Sequence, residues 1–167
     1  MKSISEILFP RPVVLVTTCD ASGKPNVATF SFVMPVSFSP MYVAFAVSPK
    51  RHSFKNLQEV GEFVLHVVPE ELLDASWICG TRSGRDVDKF SLAGLKTRPS
   101  SKVRPPRIVD CPVQLECVVE AMPEYGDHYL VVGRVVEVHV EKPEYRPILH
   151  HTGTTFYKIG EKVSPKG

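Results

Sequence analysis

Residues Val113–Val140 read VQLECVVEAMPEYGDHYLVVGRVVEVHV, and their spacing decides the fold. Val113, Leu115, Cys117 and Val119 alternate with Gln114, Glu116 and Val118. That period of two predicts a half-buried antiparallel strand. Pro123–Asp127 (PEYGD) reads as a turn. His128–Val140 is long for one strand, and Gly133 within it predicts a bulge or bend. A β-rich, antiparallel chain is the expectation from this segment alone.

The rest of the chain agrees. Ser3–Leu8 predicts one helical turn, with Ser3 and Glu6 placed as a capping box and Pro10 and Pro12 ending it. Val13–Thr18 is a continuous β-branched run, the pattern of a buried strand. Asp20–Pro25 (DASGKP) is a turn, and Asn26–Phe32 returns as the second arm of a hairpin. Met34–Pro40, bounded by prolines, reads as irregular. Met41–Val47 reads as a core strand, and Phe63–Val68 as another. Pro69 opens a helix with Glu70 and Glu71 in its first turn. Its inner face is expected to carry Leu72, Leu73, Ser76 and Trp77, and it ends near Cys79 and Gly80. Val87–Leu92 predicts a short helix stopped at Gly94. Arg98–Arg107 is a proline-rich surface excursion, Glu141–Pro147 a polar linker and Thr154–Lys158 an edge strand. Six or seven strands with short helices imply a closed or nearly closed antiparallel barrel. A doubly wound parallel sheet is disfavoured, because crossover helices do not follow each strand. The barrel is expected over residues 1–160 as one domain, with 161–167 as a polar tail.

Composition narrows the function classes. A net charge of +2 and a pI near 8.3 are too mild to argue for nucleic acid. No apolar run is long enough to span a bilayer. The N-terminal MKSISEILFPRP lacks the long apolar centre of a signal peptide. Cys19, Cys79, Cys111 and Cys117 form no Cys-x-x-Cys pair, so they read as small buried hydrophobes in a reducing, cytoplasmic setting.

Two loops carry the candidate chemistry. The first lies in Ala44–Asn56, AFAVSPKRHSFKN, where a strand runs into a basic loop and then into a helix with Phe54, Leu57 and Val60 on one face, stopped by Gly61. Free N–H groups, the positive helix end and cationic side chains together predict an anion site. A phosphate would be hydrogen-bonded by Arg51, His52 and Ser53, with Ser53 as the N-cap. The plain alternative is an exposed loop that is basic by chance. The second loop is Thr81–Asp86 (TRSGRD), followed by Asp86, Asp88 and Lys89 as either a solvated face or a ligand clamp. Asn26–Phe32 (NVATFSF) mixes hydroxyls with aromatics and is suited to the edge of a heteroaromatic ring. Taken singly, Phe30, Phe32, Phe38, Phe45 and Trp77 read as core. Ser31, Ser37 and Cys79 lack the context of a nucleophile. His66, His128 and His139 sit singly in strand patterns and read as partly buried groups with one hydrogen bond each. His150 and His151 would point to opposite faces. The spacing predicts no metal site, a composite one made in three dimensions staying open.

Four blocks in order, RPVVLVTTCDASGKPNVATFSF, PVSFSP, SPKRHSFKN and WICGTRSGRDVDKF, resemble the flavin reductase-like family of FMN-binding split barrels, in its flavoredoxin and archaeal ferric reductase branch. The resemblance covers about Pro10 to Tyr157. It implies a mainly β, antiparallel Greek-key split barrel, a homodimer, and FMN near the subunit interface. It implies ring contacts from Thr29, Phe30, Ser31 and Phe32, and phosphate and ribityl contacts from Ser48, Lys50, Arg51, His52 and Ser53, with Asn56 supporting the loop. Ser83, Gly84, Arg85 and Lys89 would close over the flavin or the nicotinamide. NAD(P)H would pass hydride to flavin N5 with no catalytic acid or base needed from the protein, and reduced flavin would pass electrons onward. An electron carrier with permanently bound FMN and a protein redox partner is the alternative. A β-barrel nucleic-acid binder is the further rival suggested by the basic loops.

Overall fold

The structure is a computed structural model and describes residues 2–165. In chain order the elements are α1 (Ile4–Ile7), β1 (Arg11–Pro12), β2 (Val14–Cys19), β3 (Pro25–Phe30), β4 (Val33–Phe38), β5 (Met41–Val47), α2 (His52–Val60) and β6 (Glu62–Val67). A 3-10 turn (Glu70–Leu72) leads into α3 (Leu73–Thr81), α4 (Lys89–Leu92), β7 (Thr97–Arg98), β8 (Arg107–Ile108), β9 (Val113–Ala121), β10 (Glu124–Tyr125), β11 (His128–Val140), β12 (Ile148–Thr152) and β13 (Thr155–Lys158). Residues 161–165 of the expected tail lie in no helix or strand. Its last two residues, like Met1, are outside the described residues.

One antiparallel sheet dominates, in the order β3-β2-β6-β9-β11-β5-β4, with β10 beside β11. β3 and β4 lie at opposite ends of that order, yet only Ser31 and Phe32 separate them in the chain. The sheet must therefore curl until its two edges meet. It closes through two residues of chain and not through a ladder of hydrogen bonds, which makes it a barrel split along one seam. β5 and β6 are consecutive but not adjacent, so the segment carrying α2 crosses an end of the barrel in Greek-key fashion.

Alternation explains the packing on both faces. Val14 and Val16 point inward with Val43, Phe45, Phe63, Leu65, Cys117 and Val131, and Phe54 and Leu57 of α2 join them. Val13 and Leu15 point outward, under Ala75 and Cys79 of α3, with Ile108, Cys111 and Ile148. Both faces of β2 are covered, so its sequence reads as continuously apolar. Gly61 ends α2 at φ 68°, its N–H bonded to the Leu57 carbonyl at 2.9 Å, a conformation that favours glycine. All four cysteines are free and buried.

Several expectations need correction. Met34–Pro40 is not irregular: Val33–Phe38 forms β4, paired with β5 through a bulge between Pro35 and Ser37. As an edge strand, β4 tolerates the N–H that Pro35 lacks. The helix after the basic loop starts at His52, so its N-cap is Arg51 and not Ser53. The buried side of α3 is Ala75, Ser76 and Cys79, whereas Trp77 is partly exposed. Phe38 is fully exposed and not core. Gln114 and Glu116 do not face solvent, because the Arg98–Arg107 excursion lies over them: Glu116 accepts from the N–H groups of Ser101 and Lys102 at 2.8 and 2.6 Å. His66 is wholly buried with two hydrogen bonds. Gly133 does sit at a register shift in the β9–β11 pairing.

Candidate functional site

The two loops singled out from the sequence come together. The N-terminus of α2, strand β3 and the segment from α3 to α4 enclose a cleft of about 370 Å³. Thr29, Phe30, Lys50, Arg51, His52, Ser53, Ser83, Gly84, Arg85 and Lys89 all line it, with Asn26, Cys79, Arg82 and Asp86. An adjoining hollow shares Thr29, Phe30, Lys50 and Arg51 and adds Ser31, Phe32, Ser48 and His128. The two spaces meet along β3, at the seam of the barrel. Asn56 lines neither. It faces inward, and its Nδ2 donates to Thr18 Oγ1 at 3.0 Å, tying α2 to β2.

Each wall has a local cause. The Arg51 N–H bonds back to the Ser48 carbonyl at 3.0 Å, so Ser48–Arg51 is a tight turn that ends where α2 begins. His52 and Ser53 open the helix, and their N–H groups have no carbonyl one turn earlier within it. Among the described residues β3 pairs only with β2, so backbone groups on its other side face the seam without a strand partner. Thr29 Oγ1 donates to the Ser76 carbonyl, which anchors β3 to α3. Phe30 packs on Phe45 with ring centroids 4.8 Å apart. The Asp88 carboxylate caps α4 by accepting from the N–H groups of Phe90 and Ser91.

The electrostatics have one sign. Lys50, Arg51, Arg82, Arg85 and Lys89 line the cleft against the single carboxylate of Asp86. Lys89 is buried, and its Nζ donates to the Cys79 carbonyl at 3.1 Å. Burial, with Arg51 nearby, pushes its ammonium down to about 8. Burial also pulls His52 below its ordinary value, helped by Arg85, Lys55 and Lys89. Its Nδ1 is buried and has no hydrogen-bond partner among the described residues. A buried polar atom left single in a cationic cleft is a place where a ligand completes the hydrogen bonding.

One contributor was not singled out as part of the site. His128 enters the hollow with its ring 6.0 Å from that of Phe32, and its Nδ1 lies 2.8 Å from the Asp127 carboxylate. Read locally, it was one more histidine on a strand; only the β11–β5 pairing carries it to the loop after β5. Asn26 is buried at the back of the cleft, where the sequence had placed it only on a ring-binding strand.

The seam and the antiparallel order define a split-barrel protein, with a cationic helix end at its seam. The sequence profile of the flavin reductase like domain matches residues 6–160, and the chain belongs to that family. A flavin reductase of Pseudomonas putida is 30% identical over 146 residues, 87% of this chain and 82% of its own length. Nitrilotriacetate monooxygenase component B from Bacillus cereus superposes with a TM-score of 0.90 at 26% identity, covering 97% of this chain and 90% of that one. Flavoredoxin of Desulfovibrio vulgaris (Miyazaki F) shares the fold with a TM-score of 0.86 at 20% identity, over 99% of this chain and 96% of that one.

Proposed function

We propose that the protein binds FMN in this cleft and acts as an NAD(P)H-dependent flavin or ferric reductase. The observation that carries the reading is the juxtaposition of a cationic helix N-terminus, holding the unpartnered Nδ1 of His52, with the open edge of β3. Family membership and the named P. putida relative support the same chemistry.

The residues present suit a mononucleotide with one anionic end and one flat end. Lys50, Arg51 and the first N–H groups of α2 would hold the phosphate, since charge-assisted hydrogen bonds to an anion are the strong ones. Thr29, Phe30, Ser31 and Phe32 would meet the ring, offering backbone groups along the seam. Ser83, Gly84 and Arg85 would cover the ribityl side, and Lys89 would add charge from beneath. When bound, FMN supplies hydride acceptance at its N5 and onward electron transfer. The chain's own part is to bind, orient and neutralise. We further propose that it works as a homodimer, because the strand that borders the seam exposes an apolar face.

Reconstitution with FMN should give flavin absorbance and quenched flavin fluorescence. Steady-state oxidation of NAD(P)H with free FMN or a ferric chelate should follow. A colourless protein after reconstitution would end the reading. Bound flavin without turnover, reduced rapidly by a protein partner, would replace the reductase with an electron carrier. Arg51→Ala should weaken FMN by about ten-fold or more and spare riboflavin, which has no phosphate. Equal weakening of both ligands would place the phosphate elsewhere.

A further inference from the structure

Arg11 is almost fully buried, a costly place for a charge, and it lies outside the cationic cleft. Its guanidinium gathers three parts of the chain. It donates to the carbonyls of Ser5 in α1 and Leu8 just after it, the latter at 2.6 Å, and to the His151 carbonyl on β12. Its Nε lies 3.4 Å from Ser31 Oγ, and a terminal nitrogen lies 3.4 Å from His150 Nδ1. The His150 Nε2–H donates to the Gly153 carbonyl, so Nδ1 is left to accept, and Ser31 Oγ stands 3.3 Å from it. Burial, with Arg11 and His151 close by, lowers the His150 ring below its ordinary value and keeps it neutral at pH 7. The guanidinium carbon also sits 5.5 Å from the centre of the Phe32 ring. Ser31 and Phe32 are the two residues that close the seam, and both line the hollow beside the cleft. All the hydrogen-bond partners of Arg11 among the described residues are neutral: three carbonyls, a hydroxyl and an imidazole. The charge is therefore fixed behind the seam without being cancelled.

We propose that Arg11 is a positioning residue for the ring end of the cofactor: it fixes Ser31 and Phe32 against α1 and β12, and its uncancelled charge favours reduced over oxidised flavin. The inference rests on the FMN reading above. A hydride carries two electrons and one proton from NAD(P)H to the neutral ring; the donor leaves as NAD(P)⁺ and the ring gains one negative charge. A positive charge fixed nearby in a partly dry site stabilises that product more than the neutral ring. The effect belongs to the ring, which FMN and riboflavin share, and not to the phosphate at the other end of the site.

The test is the midpoint potential of protein-bound flavin, with dissociation constants for oxidised FMN and riboflavin beside it. Arg11→Met nearly keeps the bulk and removes the charge. It should bind reduced flavin about ten-fold less tightly relative to oxidised, as loss of a unit charge about 10 Å away does at an effective dielectric of about 20. For a two-electron couple that is a fall of about 30 mV. The fall should be the same with riboflavin. Arg11→Lys keeps the charge and loses the planar fork. It should stay near the native potential while weakening both oxidised ligands alike. Arg11→Gln takes the place of Arg11→Met if that variant does not fold. An unchanged potential in the uncharged variant would make Arg11 a clamp alone and overturn the proposal. A fall as large in Arg11→Lys would overturn it too, since geometry and not charge would then set the potential. If Arg51→Ala discriminates FMN from riboflavin but the uncharged Arg11 variant keeps the native potential, this inference fails alone. A native protein that binds neither flavin ends the cofactor reading, and this inference with it.

Discussion

His66 is the side chain whose environment differs most from what its place in the sequence suggests. It is wholly buried on β6, its Nδ1–H donating to the Leu15 carbonyl at 3.1 Å and its Nε2 accepting the Ile108 N–H at 2.9 Å. Both ring nitrogens are used, and only the neutral ring can use them this way. Burial pushes its pKa down to about 4, with Arg107 adding to the fall and backbone hydrogen bonds opposing it. A folded-state value below the ordinary one means that the unfolded chain takes up the proton first. The stabilisation is complete above about pH 6.5 and drains away as the pH falls toward 4, by on the order of 3 kcal/mol. Urea midpoints should therefore decline between pH 7 and 4.5. A His66→Gln variant, less stable at pH 7.5, should decline less steeply; parallel curves would show that other groups carry the effect. Glu116 acts in the same sense, in a lower window. Burial alone would raise it, but the N–H groups of Ser101 and Lys102 and the ring of His139 hold it below the usual carboxylate range. Its contribution is lost only as the pH falls through the acid range below about 4.5. Neither role is legible locally. Alternation correctly put Gln114 and Glu116 on the face opposite Leu115 and Cys117, but a pattern of period two cannot say that a distant proline-rich segment returns to cover that face.

Among the elements, β11 shows how far the sequence reading could go. Its length and the irregularity at Gly133 were both legible, because a glycine inside a strand has few other uses. The structure supplies the reason. A Cβ at Gly133 would sit 2.3 Å from the Phe63 ring and 3.3 Å from Cys117 Cβ, in the middle of the barrel core. Gly133→Ala should destabilise the fold by about 1–3 kcal/mol, as overpacking does. Urea unfolding at pH 7.5 measures it, and an unchanged midpoint would mean that the Phe63 ring swings aside at little cost. Where the reading failed, the cause was a partner far away in sequence. β4 was passed over because Met34–Pro40 carries two prolines, yet a strand bonded on one side only can accommodate the donor that Pro35 lacks. The cap of α2 was placed at Ser53 because serine suits that role, but its hydroxyl is engaged by Asn26 on β3. The candidate site was largely legible because its residues come in contiguous runs, Thr29–Phe32, Ser48–Ser53 and Ser83–Arg85. Asn56, read with them, turned out to serve the inner face of the same helix.

At the scale of the molecule, the seam that opens β3 to a ligand also leaves β4 as a free edge. Met34, Val36 and Phe38 are exposed along it by 52%, 48% and 100%, and β4 carries no charged residue. Natural edge strands are usually protected by charge, by brevity or by cover, and an apolar edge of this length calls for cover. Phe32 and Met41 extend the apolar surface at either end of the strand. A second copy of the chain is the occupant we propose, and Phe32 lies both on this surface and in the hollow beside the cleft. Association should therefore be coupled to flavin affinity. Phe38→Glu tests this cleanly, because a side chain that touches nothing in the protomer can be replaced at little cost to folding, within about 0.5 kcal/mol. Analytical ultracentrifugation at tens of micromolar should show a dimer for the native chain and a monomer for Phe38→Glu, with an unchanged far-ultraviolet spectrum. The monomeric variant should bind FMN more weakly than the native dimer, and the native protein should lose affinity on dilution. A native chain that sediments as a monomer would refute the dimer. A monomeric variant with full FMN affinity would confine the cofactor to a single subunit.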